Sequence, residues 1–151
     1  MIKELIAEQI EELASEIVDF LIKYRLLVDI VICFNNSVYK TEDVYNDRKY
    51  LVRENNVKSD KYVKNHNPEH ILSISYDSRL YEVLHYGVYE IDDEVVKTFH
   101  ECDEFVGNLQ EEFYNIFKKY GLDYYYCGNG EITCYYMGNK LNDFLLKNTK
   151  I

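Results

Sequence analysis

Leu122-Asp123-Tyr124-Tyr125-Tyr126-Cys127-Gly128-Asn129-Gly130-Glu131-Ile132-Thr133-Cys134-Tyr135-Tyr136-Met137 is the stretch that decides the fold. Two β-prone runs flank Gly128-Asn129-Gly130, and Asn-Gly is the strongest two-residue hairpin signal because both central positions of the favoured turn need positive φ. The reading is an antiparallel hairpin near the C-terminal end. Side chains alternate along a strand, so Tyr124 and Tyr126 share one face while Tyr125 and Cys127 share the other. Both faces therefore carry aromatic rings.

Working outward, Val95, Phe99, Cys102, Val106, Leu109, Phe113, Ile116 and Tyr120 recur at steps of three and four. This stripe predicts a long amphipathic helix with Asp92 or Asp93 as N-cap and Gly121 as its stop. Gly107-Asn108 interrupts it, and Asn108 with Glu111 fits a capping box, so a break into two helices there is also open. Residues 71–76 alternate as a strand, and Asp77-Ser78 caps a short helix over 80–86 that Gly87 ends. Residues 28–34 read as a buried strand leaving through Asn35-Asn36-Ser37. Between these strands, residues 40–70 hold seven Lys or Arg and no sustained period, a polar, irregular insertion with room for strand fragments near 50–53. At the N-terminal end Ile6, Ile10, Leu13, Ile17, Phe20, Tyr24 and Leu27 again step by three and four, predicting a helix over 2–26. The same stripe also suits a homodimer through that helix. A short helix over 141–146 closes the chain. The fold class is α+β: a single domain over 1–151 with a small antiparallel sheet, its C-terminal hairpin, and two long amphipathic helices packed on one face.

The composition is globular, with 47% hydrophobic residues and 16 Tyr but two Ala and no Trp in 151 residues. No run of about 18 apolar residues suggests a membrane span, and the acidic N-terminus is unlike a secretory signal, so a cytoplasmic location is expected. In that compartment the four cysteines are expected as free thiols.

The net charge of −10 is unevenly spread. Residues 1–20 carry six carboxylates against Lys3, and residues 90–112 carry nine against Lys97, so the remainder is positive. Glu4, Glu8, Glu12 and Glu16 recur every fourth residue, a single row with about 6 Å between positions at 1.5 Å rise per residue. That spacing is similar to the phosphates of a nucleic-acid strand, and like charges four apart cost a helix a few tenths of a kcal/mol each. Asp93, Glu94, Glu101, Glu104, Glu111 and Glu112 form a second acidic region. Such surfaces repel nucleic acid and attract basic clefts. A solvated helix face is the competing reading.

Catalytic signatures are weak. His66-Asn67-Pro68-Glu69-His70 matches H-x-x-E-H, but Pro68 and the strand that follows leave no helix to aim both imidazoles at one metal. Cys102 lies among Glu101, Asp103 and Glu104, the opposite of the electropositive surroundings that activate a thiol. No metal or cofactor is expected. Two readings of the site remain open: partner-binding surfaces at Glu4, Glu8, Glu12, Glu16, Glu101, Glu104, Glu111, Tyr124 and Tyr126, or a small-ligand or enzymatic pocket around Asp77, Arg79, His85 and Tyr86.

In size, acidity and lack of catalytic motifs the chain resembles the small anti-CRISPR and antirestriction proteins of phages and mobile elements, and residues 111–136 resemble phage accessory proteins. Abundant Asn, Lys, Ile and Tyr, the usage of an AT-rich coding sequence, fit a bacterial host or its phage. The resemblance implies a non-enzymatic inhibitor of a host defence protein such as a CRISPR effector or restriction nuclease. Its partner would be a protein with a basic cleft, with neither nucleic acid nor membrane bound directly. DNA mimics belong to this type. Arg48, Lys49, Arg53, Lys58, Lys61 and Lys64 depart from it, since a whole-molecule mimic has no use for a positive segment.

Overall fold

In chain order, the computed structural model, which describes residues 4–41, 51–55 and 71–137, contains α1 (Ala7–Lys23), β1 (Ile30–Phe34), β2 (Ser37–Thr41), β3 (Leu51–Asn55), β4 (Leu72–Tyr76), α2 (Ser78–Tyr86), β5 (Val88–Asp92), β6 (Lys97–Glu101), α3 (Glu104–Lys119), β7 (Leu122–Gly128) and β8 (Glu131–Tyr136). Six strands form one sheet in the order β3-β2-β1-β4-β8-β7, every pair antiparallel, and β5 with β6 forms a separate hairpin. The α+β expectation holds, with three helices among the described residues, the two long ones and the short α2.

Alternation assigns the two faces of the sheet. Ile32, Ile74, Ile132 and Tyr126 stand in register across β1, β4, β8 and β7, on the face that both long helices cover. Leu13, Ile17, Phe20 and Leu21 of α1 and Val106, Leu109, Phe113 and Phe117 of α3 are buried there. Phe20 meets Phe113 at 5.4 Å and Phe117 meets Tyr124 at 5.0 Å, so rings link helix to helix and helix to sheet. Lys23 pairs with Glu112 and Lys119 with Glu16, which sets the two helices antiparallel. Of the heptad stripe, Leu13, Ile17, Phe20 and Leu27 are buried within the protomer, Ile10 and Tyr24 are half-buried, and Ile6 is exposed. On the other face Ser73 and Thr133, both buried, share a hydrogen bond of 3.0 Å.

The main departure from expectation lies in residues 88–103. The helical stripe beginning at Val95 gives way to the β5–β6 hairpin: Tyr89 and Ile91 are buried, whereas Val95 and Phe99 are exposed. Alternating Tyr89, Ile91, Thr98 and His100 outweigh a 3.6-residue period that the exposed Val95 and Phe99 match by coincidence. Helix α3 starts only at Glu104, capped by Asp103, whose carboxylate accepts the Val106 N–H at 3.0 Å. Asp93, the expected cap, instead receives Arg25 at 2.9 Å and Arg79 at 2.8 Å. Gly107 and Asn108 stay inside a continuous α3.

Smaller corrections concern ends and turns. Helix α1 begins at Ala7 rather than residue 2, because Leu5 N–H is taken by the Tyr136 hydroxyl (2.9 Å) and Ile6 is extended. The expected exit at Asn35-Asn36 is a hairpin turn, both residues at positive φ, leading directly into β2. At Asn129-Gly130 only the glycine has positive φ (+79°), and a bulge between Tyr126 and Gly128 provides the remaining twist. Within the polar insertion, residues 51–55 form edge strand β3, close to the expected fragment. The H-x-x-E-H segment, the helix over 141–146, and Arg48, Lys49, Lys58, Lys61 and Lys64 lie outside the described residues. No helix among the described residues is long and apolar enough to cross a membrane.

Two stability predictions follow from the backbone and from the clamp. A Cβ at Gly130 would stand 2.5 Å from the Tyr76 carbonyl oxygen, and the Gly130 carbonyl accepts the Tyr76 N–H at 2.8 Å. Gly130→Ala is therefore expected to cost about 1–3 kcal/mol, measured by urea unfolding. The Arg25 and Arg79 hydrogen bonds hold the Asp93 carboxyl below its ordinary 3.8. A depressed carboxylate stabilises the fold above its unfolded value and ceases to do so as pH falls through the native value. Asp93→Asn should lower stability at neutral pH by up to about 1 kcal/mol, and its difference from wild type should shrink as pH falls below 3.8. A difference independent of pH would refute the clamp.

Candidate functional site

A groove of about 660 Å³ opens where the start of α1 meets the α3–β7 junction and the end of β8. Glu4, Gln9, Glu12 and Glu16 line one wall, Lys119 and Tyr120 the other, and Tyr136 and Met137 the end. Its shape follows from local constraints. The Tyr136 hydroxyl holds Leu5, Gln9 accepts the Ile6 N–H at 3.0 Å, and Met137 N–H bonds the Gly121 carbonyl at 3.0 Å. Burial, helped by the Glu16 and Glu12 carboxylates beside it, pushes the Tyr120 phenol up to about 12. The phenol therefore stays neutral at physiological pH, and the groove is acidic, with Lys119 as its one cation among the described lining residues.

The acidic row is shorter than its spacing suggests. Glu8 and Glu12 are exposed on α1, Glu4 precedes the helix, and Glu16 accepts Lys119 at 2.6 Å. Some acids bind elements to each other, among them Glu16, Glu11, which receives Arg53 from β3, and Glu112, which receives Lys23 at 2.9 Å and the Tyr24 hydroxyl. Burial raises the Glu112 carboxyl, but the bonds from Tyr24 and Lys23 outweigh it and hold the group low. Of the second acidic region, Glu104 and Glu111 are exposed on α3, while Glu101 ends β6 instead of lying on a helix.

A second cluster is aromatic. His85 stacks on Tyr81 (centroids 4.3 Å), lies 4.9 Å from the Tyr126 ring, and shares a 2.7 Å hydrogen bond with the Tyr76 hydroxyl. Tyr81 also bonds Asn129 in the hairpin turn at 2.7 Å and contacts Tyr86. Tyr86 is 64% and Tyr126 48% exposed, so this platform presents rings to solvent. Tyr124 lies inward, packed on Phe113, Phe117 and Tyr114. The four residues proposed as a ligand pocket separate. Asp77 caps α2 through the Ser78 N–H, and Arg79 turns to Asp93 and the Arg25 carbonyl, leaving His85 and Tyr86 in the platform. Sequence reasoning missed Tyr81, whose signal is its position four residues before His85 on one helix face. It also missed Tyr120 and Tyr136, which line one groove only through the tertiary fold.

All four cysteines are free. Burial pushes the Cys33 thiol up to about 12 and the Cys127 thiol up to about 11, away from nucleophilic use. No group of three His, Cys, Asp or Glu side chains is arranged to hold a metal ion among the described residues. Compared with known proteins, the chain matches no family model, no curated protein and no solved structure.

Burial lowers His85 below its ordinary 6.5. As pH falls, the unfolded chain takes up this proton first, so His85 subtracts stability progressively below 6.5. In an NMR titration between about pH 4 and 8, with His85→Gln for assignment, the His85 resonance should move with a midpoint below 6.5. A midpoint at or above that value would show the imidazole to be well solvated.

Proposed function

We propose that this protein is a non-enzymatic inhibitor that binds a host defence protein, such as a CRISPR effector or a restriction nuclease, through its acidic and tyrosine-rich surfaces. The observation that carries the reading is the groove along α1. Glu4, Glu12 and Glu16 line it with Lys119 paired to Glu16, Tyr120 and Tyr136 provide apolar area beside them, and Glu8, one turn from Glu12 on α1 and outside the groove, is exposed with Glu12 at nucleic-acid-like spacing. Carboxylates beside aromatic rings suit a cleft that normally holds a phosphate backbone: the acids meet its Lys and Arg, and the rings add area at small entropic cost. Inhibition on this reading is occupancy. Nothing is transformed, and the nuclease is blocked for as long as its basic cleft is filled.

Expressed in bacteria that carry CRISPR or restriction systems, the chain is expected to raise phage plating efficiency against at least one of them. The double variant Glu8→Lys, Glu12→Lys should abolish the rise while changing stability by no more than about 0.5 kcal/mol, as both side chains are exposed. Protection by the wild type that survives the charge reversal would remove the acidic row from the mechanism. Absence of protection across the systems would remove the inhibitor.

A further inference from the structure

The β5–β6 hairpin stands outside the six-stranded sheet and is held on three sides. Its inner face is packed: Tyr89 and Ile91 are buried, the Tyr89 hydroxyl donates to the Tyr24 carbonyl at 2.8 Å, and His100 stacks on Phe105 at 4.2 Å. Its tip is clamped through Asp93 to Arg25 and Arg79. Its base is closed by the Cys102 N–H on the Gly87 carbonyl at 2.8 Å.

The outer face is the opposite in character. Phe99 is 59% exposed although Glu90 stands directly across from it, and Val95 at the tip is 90% exposed. Glu90, Asp92, Glu94 and Glu101 are exposed around them, and the one cation of the hairpin, Lys97, lies 3.9 Å from Asp92. A phenylalanine left mostly in water forgoes part of the roughly 1.5–3 kcal/mol that full burial provides. Here the fold presents it on a scaffold that loses little freedom on binding.

We propose that this outer face is a docking surface for a partner protein that offers an apolar pocket rimmed by Lys and Arg. Phe99 and Val95 would fill the pocket, and Glu90, Glu94 and Glu101 would meet the rim. Charge decides the class of occupant. Anionic lipid and nucleic acid are repelled, and a two-fold pairing of two copies through this face would set carboxylate against carboxylate. The inference rests on the reading of the chain as a binder of basic proteins, and adds a contact that the α1 groove does not require.

The test uses the full chain in cells that natively express it, with the photo-crosslinker p-benzoylphenylalanine in place of Phe99 and, separately, of exposed Asn115 on α3 as control. Illumination is expected to join position 99 to one partner peptide that carries Lys or Arg next to the apolar attachment point, with none joined at position 115. Glu90→Lys, Glu94→Lys and Glu101→Lys together should reduce that yield about tenfold or more without moving the urea midpoint. Crosslinks to a second copy, to lipid or nucleic acid, or to a peptide without cations would overturn the proposal, as would a yield no greater than at position 115. If position 99 captures nothing while Glu8 and Glu12 still govern phage protection, the docking face fails and the inhibitor stands. If it captures a basic partner and no defence system is affected, the converse holds.

Discussion

Phe20 on Phe113 is the contact on which the arrangement depends. It draws α1 and α3 side by side onto one face of the sheet, and both helices are rich in carboxylates. Burial of the facing apolar stripes provides the drive, and the acids at the seam must be reconciled with it. The chain does so with cations placed opposite them, Lys23 at Glu112 and Lys119 at Glu16. Each exposed pair contributes little by itself. Their effect is to remove the like-charge repulsion that would oppose the aromatic contact.

This division of labour explains the uneven surface. Glu11, Glu16 and Glu112, where elements meet, are paired with cations, whereas Glu8 and Glu12 on α1, Glu104 and Glu111 on α3, and Glu90 and Glu94 on the β5–β6 hairpin are exposed. The Arg25–Asp93–Arg79 clamp joins these regions mechanically, since one carboxylate ties the hairpin tip to the residues after α1 and to α2. The tyrosine platform is built in the same manner, with the Tyr81–Asn129 bond connecting α2 to the turn of the C-terminal hairpin.

The legible parts of the fold were those in which one residue type has one use. Asp77 and Gly87 bracket α2, the α1 stripe has no competing period, and Gly128-Asn129-Gly130 leaves few conformations but a turn. From Asp92 to Asp103 the sequence misleads, because Val95 and Phe99 fit a helical stripe without being buried. A stripe is evidence for a helix only if its members face the core, and these two face water. Strand β2 is not legible in the sequence, because Ser37-Val38-Tyr39-Lys40-Thr41 is half polar, and β-propensity of such a run depends on the strands at either side. The site was legible in its ingredients, the acids of α1 and the tyrosines of β7, but not in which of them would be engaged internally.

Sequence alone determined that this chain would form an α+β fold, that its acids would cluster, and that α1 would bury one stripe and expose another, because these follow from local periodicity and turn chemistry. Tertiary structure decided which carboxylates stay available and which become clamps, that His85 and Tyr126 share one platform, and that Phe99 stands on an outer face. Those outcomes depend on contacts between residues dozens of positions apart. No local pattern encodes them, because the free energy of a charge or an exposed ring is set by the group that the fold places opposite it.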